Sequence, residues 1–261
     1  MQIRLGIPAS FARFSGAAAE MSAPILISAN AMRRKDGRFR KIDLHLFNGC
    51  DVALDSAGFV AMMVYGGYPW SVTDYIALAK SYPWAWYSAM DFCCEPEIAP
   101  DREEVLSRVR KTVTYLYRCQ IEATAYGAKP PMPVLQGWKA IDYLRCFEWM
   151  LPLVLPDLLG LGSVCRRQLG GPDGLLAIIA RLDRELPLSK KLHLFGVKGT
   201  AIAELAGHPR IHSVDSMAWD AAARREKGAQ AYSVDYRIGH MRRWYQTSCG
   251  MLHRPQLRLA V

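Results

Sequence analysis

The sequence predicts a parallel α/β fold closed into a single-domain TIM (β/α)8 barrel, and three observations lead there. Short apolar runs and helix-period segments alternate about seven times along the chain. The connections between them are short, as α/β units require. A length of 261 residues suits a closed eight-stranded barrel better than an open sheet. Residues 1–23 read as an N-terminal extension, and 228–261 as a basic C-terminal segment packed on the barrel.

In chain order, Pro24 to Ala29 (PILISA) reads as a strand, and Val52 to Phe59 as a strand ending in a turn. Thr73 to Tyr82 reads as a helix with Ser71 or Thr73 as cap and Pro83 as stop. Trp84 to Met90 reads as an aromatic strand running into Asp91. Asp101 to Tyr126 carries the clearest helical pattern: Pro100 and three acids open it, Val105, Val109, Val113, Leu116 and Gln120 keep helical spacing, and Gly127 closes it. Met132 to Gln136 is a strand, Lys139 to Leu151 a helix, and Asp157 to Val164 a strand with glycines. Gly174 to Leu186 is a helix, Leu192 to Val197 a strand, and Thr200 to Ala206 a short helix. Ile211 and Val214 then form a strand ending at Asp215, and Met217 to Lys227 continues as a helix.

A hydrophobic content of 51% fills a sizeable core, and 10% aromatic residues argue against disorder. No apolar run has the length of a membrane span, and no signal-peptide pattern opens the chain, so no membrane partner is expected. Seven scattered cysteines are not a disulfide framework and point to the cytoplasm. Cys249 and His253 fall at helical spacing, but two ligands are too few for structural zinc. A net charge of +9 suits a polyanionic partner. Arg33, Arg34, Lys35, Arg38, Arg40 and Lys41 crowd one loop or hairpin, and Arg237, His240, Arg242, Arg243, Trp244 and Tyr245 mix cations with aromatics, followed by Arg254 and Arg258. Phosphates attract such cations and unstacked bases such aromatic faces, although each cluster could equally be a solvated surface.

The strand ends carry Asp55, Asp91, Gln136, Gly160, Gly162, Gly196 and Asp215, and a barrel brings strand ends to one face. With Phe59 and Phe195 as apolar walls, this set suits a planar heterocycle with its ring faces covered and its edge hydrogen-bonded. A carboxylate accepts two parallel hydrogen bonds from a guanine edge. Each residue also has a plainer role open to it. Asp215 or Ser216 could cap the following helix, Asp55 could shape a turn, Asp91 and Gln136 could satisfy buried groups, and the phenylalanines could be core.

Six stretches, in order, carry a resemblance. Asp55-Ser-Ala-Gly-Phe59 resembles the Asp-Ser-Gly-Gly-aromatic motif of the queuine and archaeosine tRNA-guanine transglycosylases, and Met90-Asp91 resembles their base-recognition aspartate. Val134-Leu-Gln-Gly137, Leu159-Gly-Leu-Gly-Ser-Val164 and Leu194-Phe-Gly-Val197 resemble their Val-Gln-Gly, glycine-turn and Leu-Met-Gly-Val segments. Ser213-Val-Asp-Ser216 falls where they carry the nucleophilic aspartate. The matches span residues 50 to 220. The zinc-binding Cys-x-Cys-x-x-Cys…His set of the tRNA enzymes has no counterpart, and Val60 replaces their glutamine. This compact form is most similar to the DpdA group, which inserts 7-deazaguanines into DNA in phages and genomic islands.

The resemblance implies a base exchange without zinc or other cofactor. Asp215 would attack C1′ of a deoxyguanosine, and Asp55 would handle the proton. Asp91 and Gln136 would hold the base edge, backbone N–H groups near Gly162 its carbonyl oxygen, and Phe59 and Phe195 its faces. The DNA would be single-stranded or present a flipped guanine. Arg33, Arg34, Lys35, Arg237, Arg242 and Arg243 are the expected backbone contacts. A free deazaguanine base is the second substrate, a helper protein is left open, and a phage-encoded chain would work in its host's cytoplasm. The tRNA enzymes place a glutamate after the glycine turn to accept a cationic arm, whereas Val164-Cys-Arg-Arg167 holds no acid here. An Arg166 or Arg167 facing the pocket would repel a cationic arm and tolerate a neutral nitrile, so the expected base is 7-cyano-7-deazaguanine. The alternatives are a tRNA-guanine transglycosylase and a non-catalytic nucleic-acid-binding subunit of a DNA modification complex.

Overall fold

A computed structural model describes residues 1–8, 11–47, 49–226, 228 and 233–252. The expectations placed on Lys227, His253, Arg254 and Arg258 lie outside these residues.

Seven strands form one sheet: β1 (Gln2–Ile7), β2 (Ile25–Ser28), β3 (Val52–Asp55), β4 (Val134–Leu135), β5 (Leu158–Leu161), β6 (Lys191–Leu194) and β7 (Ile211–Ser216). Their order is β3-β2-β1-β7-β6-β5-β4, and each neighbouring pair is parallel. Residues 2–7, expected to belong to an extension, instead sit between β2 and β7. Ile3, Leu5 and Ile7 are buried with period two, as in a strand, but Arg4 between them is buried as well. Arg4 is tolerated there because Asp51 accepts two of its hydrogen bonds at 3.1 Å and the Ile25 carbonyl a third.

The closed eight-stranded barrel is not what forms. Trp84 to Met90 is not a strand but a segment tied to its neighbours by single bridges, Leu54 with Tyr87 and Ser88 with Met132. The sheet curls far enough for both of its outer strands, β3 and β4, to reach this segment. Ser88 N donates to the Leu54 carbonyl at 2.9 Å and Met132 N to the Tyr87 carbonyl at 2.7 Å. Proline explains the missing ladder. Alternate residues face the same neighbour, and Pro133, whose carbonyl accepts from Gly160, faces β5; it is Pro130, two residues before Met132, that faces the segment without an N–H to give, so pairing cannot extend that way. The β-preference of the aromatics is spent on packing instead, with Trp84 against Tyr82 and Phe47, and Trp86 against His193.

Ten helices complete the described chain: α1 (Phe11–Glu20), α2 (Ala29–Met32), α3 (Gly58–Tyr65), α4 (Val72–Lys80), α5 (Arg102–Tyr126), α6 (Ala140–Met150), α7 (Leu175–Glu185), α8 (Gly199–Leu205), α9 (Ala218–Arg225) and α10 (Val234–Leu252). The end signals read from sequence act as expected where they are strongest. Ser71 caps α4 in a reciprocal box with Asp74, Asp101 caps α5, and Gly127 closes α5 in the left-handed conformation. The buried seam of α5 runs through Val105, Val109, Thr112, Leu116, Cys119 and Ala123, so Val113 and Gln120 lie beside it rather than in it. Arg33 to Phe39 forms a small hairpin, with Gly37 at φ +86° in its turn. Among the described residues no helix is long and apolar enough to cross a membrane.

Candidate active site

Parallel strands deliver their C-terminal residues to one end of the sheet, and there a cavity of about 480 Å³ opens. Its lining includes Asp55, Phe59, Asp91, Gln136, Gly162, Phe195, Gly196 and Asp215, eight of the residues singled out from sequence. Gly160 lies outside the lining. A Cβ there would come within 2.6 Å of the Phe195 ring, so its bareness lets that ring seat against the sheet.

Asp55 ends β3, and its Oδ2 accepts the Ala57 N–H at 3.0 Å across a turn in which Ala57 adopts φ +68°. Gly58 follows because a Cβ there would lie 2.6 Å from Asp91 Oδ1. The Asp-Ser-Ala-Gly sequence is therefore a device for packing two carboxylates close together. Burial and the charges of Asp91 and Asp215 push Asp55 up to about 8. It holds a proton at neutral pH.

Asp91 is buried, and both of its oxygens are engaged. Ser56 Oγ donates to Oδ1 at 2.8 Å and Gln136 Nε2 to Oδ2 at 2.5 Å. Burial raises its pKa, opposed by these two hydrogen bonds. Gln136 Oε1 in turn accepts from Ser163 Oγ at 2.5 Å. Gly162 is required by this network, since a Cβ would stand 2.1 Å from Gln136 Nε2. The N–H of Gly162 itself donates to the Leu135 carbonyl at 3.0 Å and is taken by the sheet.

Asp215 ends on the opposite wall. The Gly196 N–H donates to its Oδ1 at 2.9 Å, from a backbone at φ +68° that favours glycine. Neither residue weighed as a cap is one: Met217 is the N-cap of α9 and carries no side-chain cap, while Ser216 Oγ, one residue earlier, accepts the Ala218 N–H at 3.2 Å. His193, which nothing in the sequence singled out, lies beneath the pocket with Nε2 3.3 Å from Asp215 Oδ1, without the alignment of a full hydrogen bond. Its Nδ1 meets Ser213 Oγ at 2.8 Å, and burial lowers its pKa, which keeps the ring neutral.

Four further lining residues escaped the sequence reading: Cys93, Glu95, Cys165 and Lys198. Glu95 matters most, because the pocket does contain an acid near the glycine turn. It comes from the loop after Asp91, three-dimensionally beside Cys165, whose Sγ lies 3.7 Å from Glu95 Oε1. Arg166 pairs with Glu97 at 2.6 Å. Arg167 is buried over the Trp138 ring at 4.0 Å, donating to the Ser163, Trp138 and Asp173 carbonyls. Neither arginine is among the residues lining the cavity, which removes the charge argument made for them.

The basic residues divide. Arg34 and Lys35 are exposed on the hairpin, and Arg33 lies over the Tyr65 ring at 5.5 Å. Arg243 is exposed on α10, and Arg242, also exposed, pairs with Glu20. Arg237 cannot meet a phosphate as expected: it is buried, bonded to Asp220 at 2.6 Å and laid over Phe14. Among the described residues no group of three or more His, Cys, Asp or Glu side chains could hold a metal ion.

Fold and site together define a parallel α/β protein with a strand-end pocket built from four carboxylates, an amide and aromatic walls. The family model described as DpdA, DeoxyPurine in DNA protein A, matches residues 23–251, and the chain belongs to that family. No curated protein matches the chain.

Proposed function

We propose that this chain exchanges guanine in DNA for a 7-deazaguanine through a covalent aspartyl-glycosyl intermediate. Membership of the DpdA family implies a role in deazapurine modification of DNA. The observation that carries the finer reading is the pairing of Asp215 with an Asp55 held protonated by its surroundings. Gly196 occupies Oδ1 of Asp215, which leaves Oδ2 as the attacking atom. As Oδ2 bonds to C1′, the C1′–N9 bond breaks and its electrons leave with guanine, which takes the proton of Asp55. In the second half the incoming base gives its N9 proton to Asp55, N9 attacks C1′, and Asp215 is released. Protons and bonds balance, and the scheme uses no cofactor.

Asp91 and Gln136 are proposed to read the base edge, held rigid by Ser56 and Ser163. Phe59 and Phe195 cover the ring. We keep 7-cyano-7-deazaguanine as the incoming base because Glu95 lines the pocket and burial, opposed by Arg166, raises its pKa; in its protonated form the carboxyl would donate to a nitrile nitrogen. The partner polymer is DNA with its target guanine extruded or single-stranded.

Labelled guanine supplied with DNA, or with tRNA in parallel, tests the reading. The wild-type chain should label DNA, and Asp215→Asn should lower labelling by at least about a thousandfold while melting normally. Substantial exchange by that variant would remove Asp215 from its role, and labelling of tRNA alone would favour the RNA enzyme.

A further inference from the structure

Helix α3 carries more apolar surface than the pocket uses. Its sequence, Gly-Phe-Val-Ala-Met-Met-Val-Tyr, contains no charge, yet of its side chains only that of Ala61 is buried. Phe59 is 40% exposed, Met63 38%, Val64 67% and Tyr65 44%. An uncharged helix left largely in water marks a contact surface rather than a packing element. Its placement says which contact. Gly58, Phe59 and Val60 line the cavity, and Met63 and Val64 stand four residues further on, so they extend the same two ridges outward from its mouth. Alongside, the basic hairpin is docked to the end of α3, with Arg33 over the Tyr65 ring and Tyr65 Oη donating to Asn30 Oδ1 at 3.1 Å. Lys35 and Arg38 of that hairpin are exposed, as are Arg34, paired there with Asp36, and Arg40 just after it, over the Phe11 ring.

We infer that α3 is a wedge for an opened DNA strand: Met63, Val64 and Tyr65 cover the bases left unstacked beside the extruded target, while the hairpin holds the flanking phosphates. The inference rests on the base-exchange reading for its target nucleotide. The physical grounds are continuity and charge. The apolar strip begins inside the pocket and ends against cations, the order in which an extruded nucleotide, its unstacked neighbours and their phosphates follow one another along a strand. A second copy of this basic chain would bring like charge to the same hairpin.

The test uses the full chain and the double substitution Met63→Ser, Val64→Ser, which leaves Tyr65 in place to hold the hairpin. Binding is measured by anisotropy on a labelled mixed-sequence duplex, either fully paired or with a short unpaired run. Wild type should favour the unpaired form by about tenfold, the scale of stacking one base on an apolar face. The double variant should lose that preference and bind the paired duplex as before. Absence of preference in wild type, or its survival in the variant, overturns the inference. So would a fall in mass by light scattering with the preference intact, which would make α3 a self-interface, or variant-sensitive sedimentation with anionic vesicles in the absence of any preference, which would make it a lipid contact. The readout requires no turnover, so its failure leaves the base-exchange reading standing, and a failed labelling assay leaves this one standing.

Discussion

Asp55 is shaped by neighbours that are distant in sequence. Its folded pKa lies above its ordinary 3.8, at about 8, so the folded chain holds a proton that the unfolded chain has released. Between those values stability falls as pH rises. Asp55→Asn removes this loss, because the amide never ionises. The variant should melt like wild type around pH 4 and gain stability up to a plateau above about pH 8, on the order of 1–3 kcal/mol after allowance for partial exposure. Thermal melts across that range check it, and an equal gain at both ends would show that the shift has another origin. Exchange activity should be lost at every pH. The aspartates were legible from sequence because each stands in a recognisable motif, Asp55 and Asp215 at the ends of strands and Asp91 after the bridged aromatic segment. His193 was not: a histidine in the run Lys-Leu-His-Leu looks like ordinary strand composition, and only the parallel register with Ser213 brings it under Asp215.

At the scale of elements, the glycine turns were legible and the loop after Asp91 was not. Gly58 and Gly162 reveal themselves because the backbone must pass close to Asp91 and Gln136, and no side chain fits there. Glu95 lies in a stretch without periodicity, so nothing local announces that it turns into the cavity. With Glu95 beside the 7-substituent as proposed, its raised pKa would tie the choice of base to pH. Protonated Glu95 suits a nitrile and ionised Glu95 an ammonium arm, so the nitrile-to-aminomethyl preference should rise as pH falls. Glu95→Gln, permanently neutral, should flatten that dependence and cut use of the aminomethyl base by about tenfold relative to the nitrile. Competition between the two bases at several pH values measures it; a ratio that follows pH identically in both proteins would place Glu95 away from the substituent.

At the scale of the molecule, net charge says that a polyanion is welcome but not where. Arg237 belongs to the scaffold: it bonds to Asp220 and packs on Phe14, joining α10 to α9 and α1. Arg237→Ala should cost about 3 kcal/mol of stability, by leaving Asp220 underpaired in a buried place. Arg34→Ala with Lys35→Ala should leave stability unchanged and shallow the salt dependence of DNA binding, by about one unit of log–log slope per lost phosphate contact. Denaturant titration and binding at several salt concentrations separate the two. A stable Arg237→Ala protein with a shallower salt slope would reverse the assignment.

What the sequence by itself determined is what local chemistry controls: the alternation of strands and helices, the capped ends of α4 and α5, and the strand-end carboxylates within glycine-marked turns. These follow from hydrogen-bonding rules and steric limits that act over a few residues. The tertiary structure decided the rest. Gln2–Ile7 became a central strand because Asp51, far along the chain, neutralises Arg4. Trp84 to Met90 stayed a bridged segment because Pro130, on the neighbouring stretch and facing it, has no N–H to give. Arg237 was drawn inward by Asp220, and the proton on Asp55 depends on Asp91 and Asp215. In each case the deciding partner is distant in sequence, and only the folded arrangement sets its distance and the dielectric through which it acts.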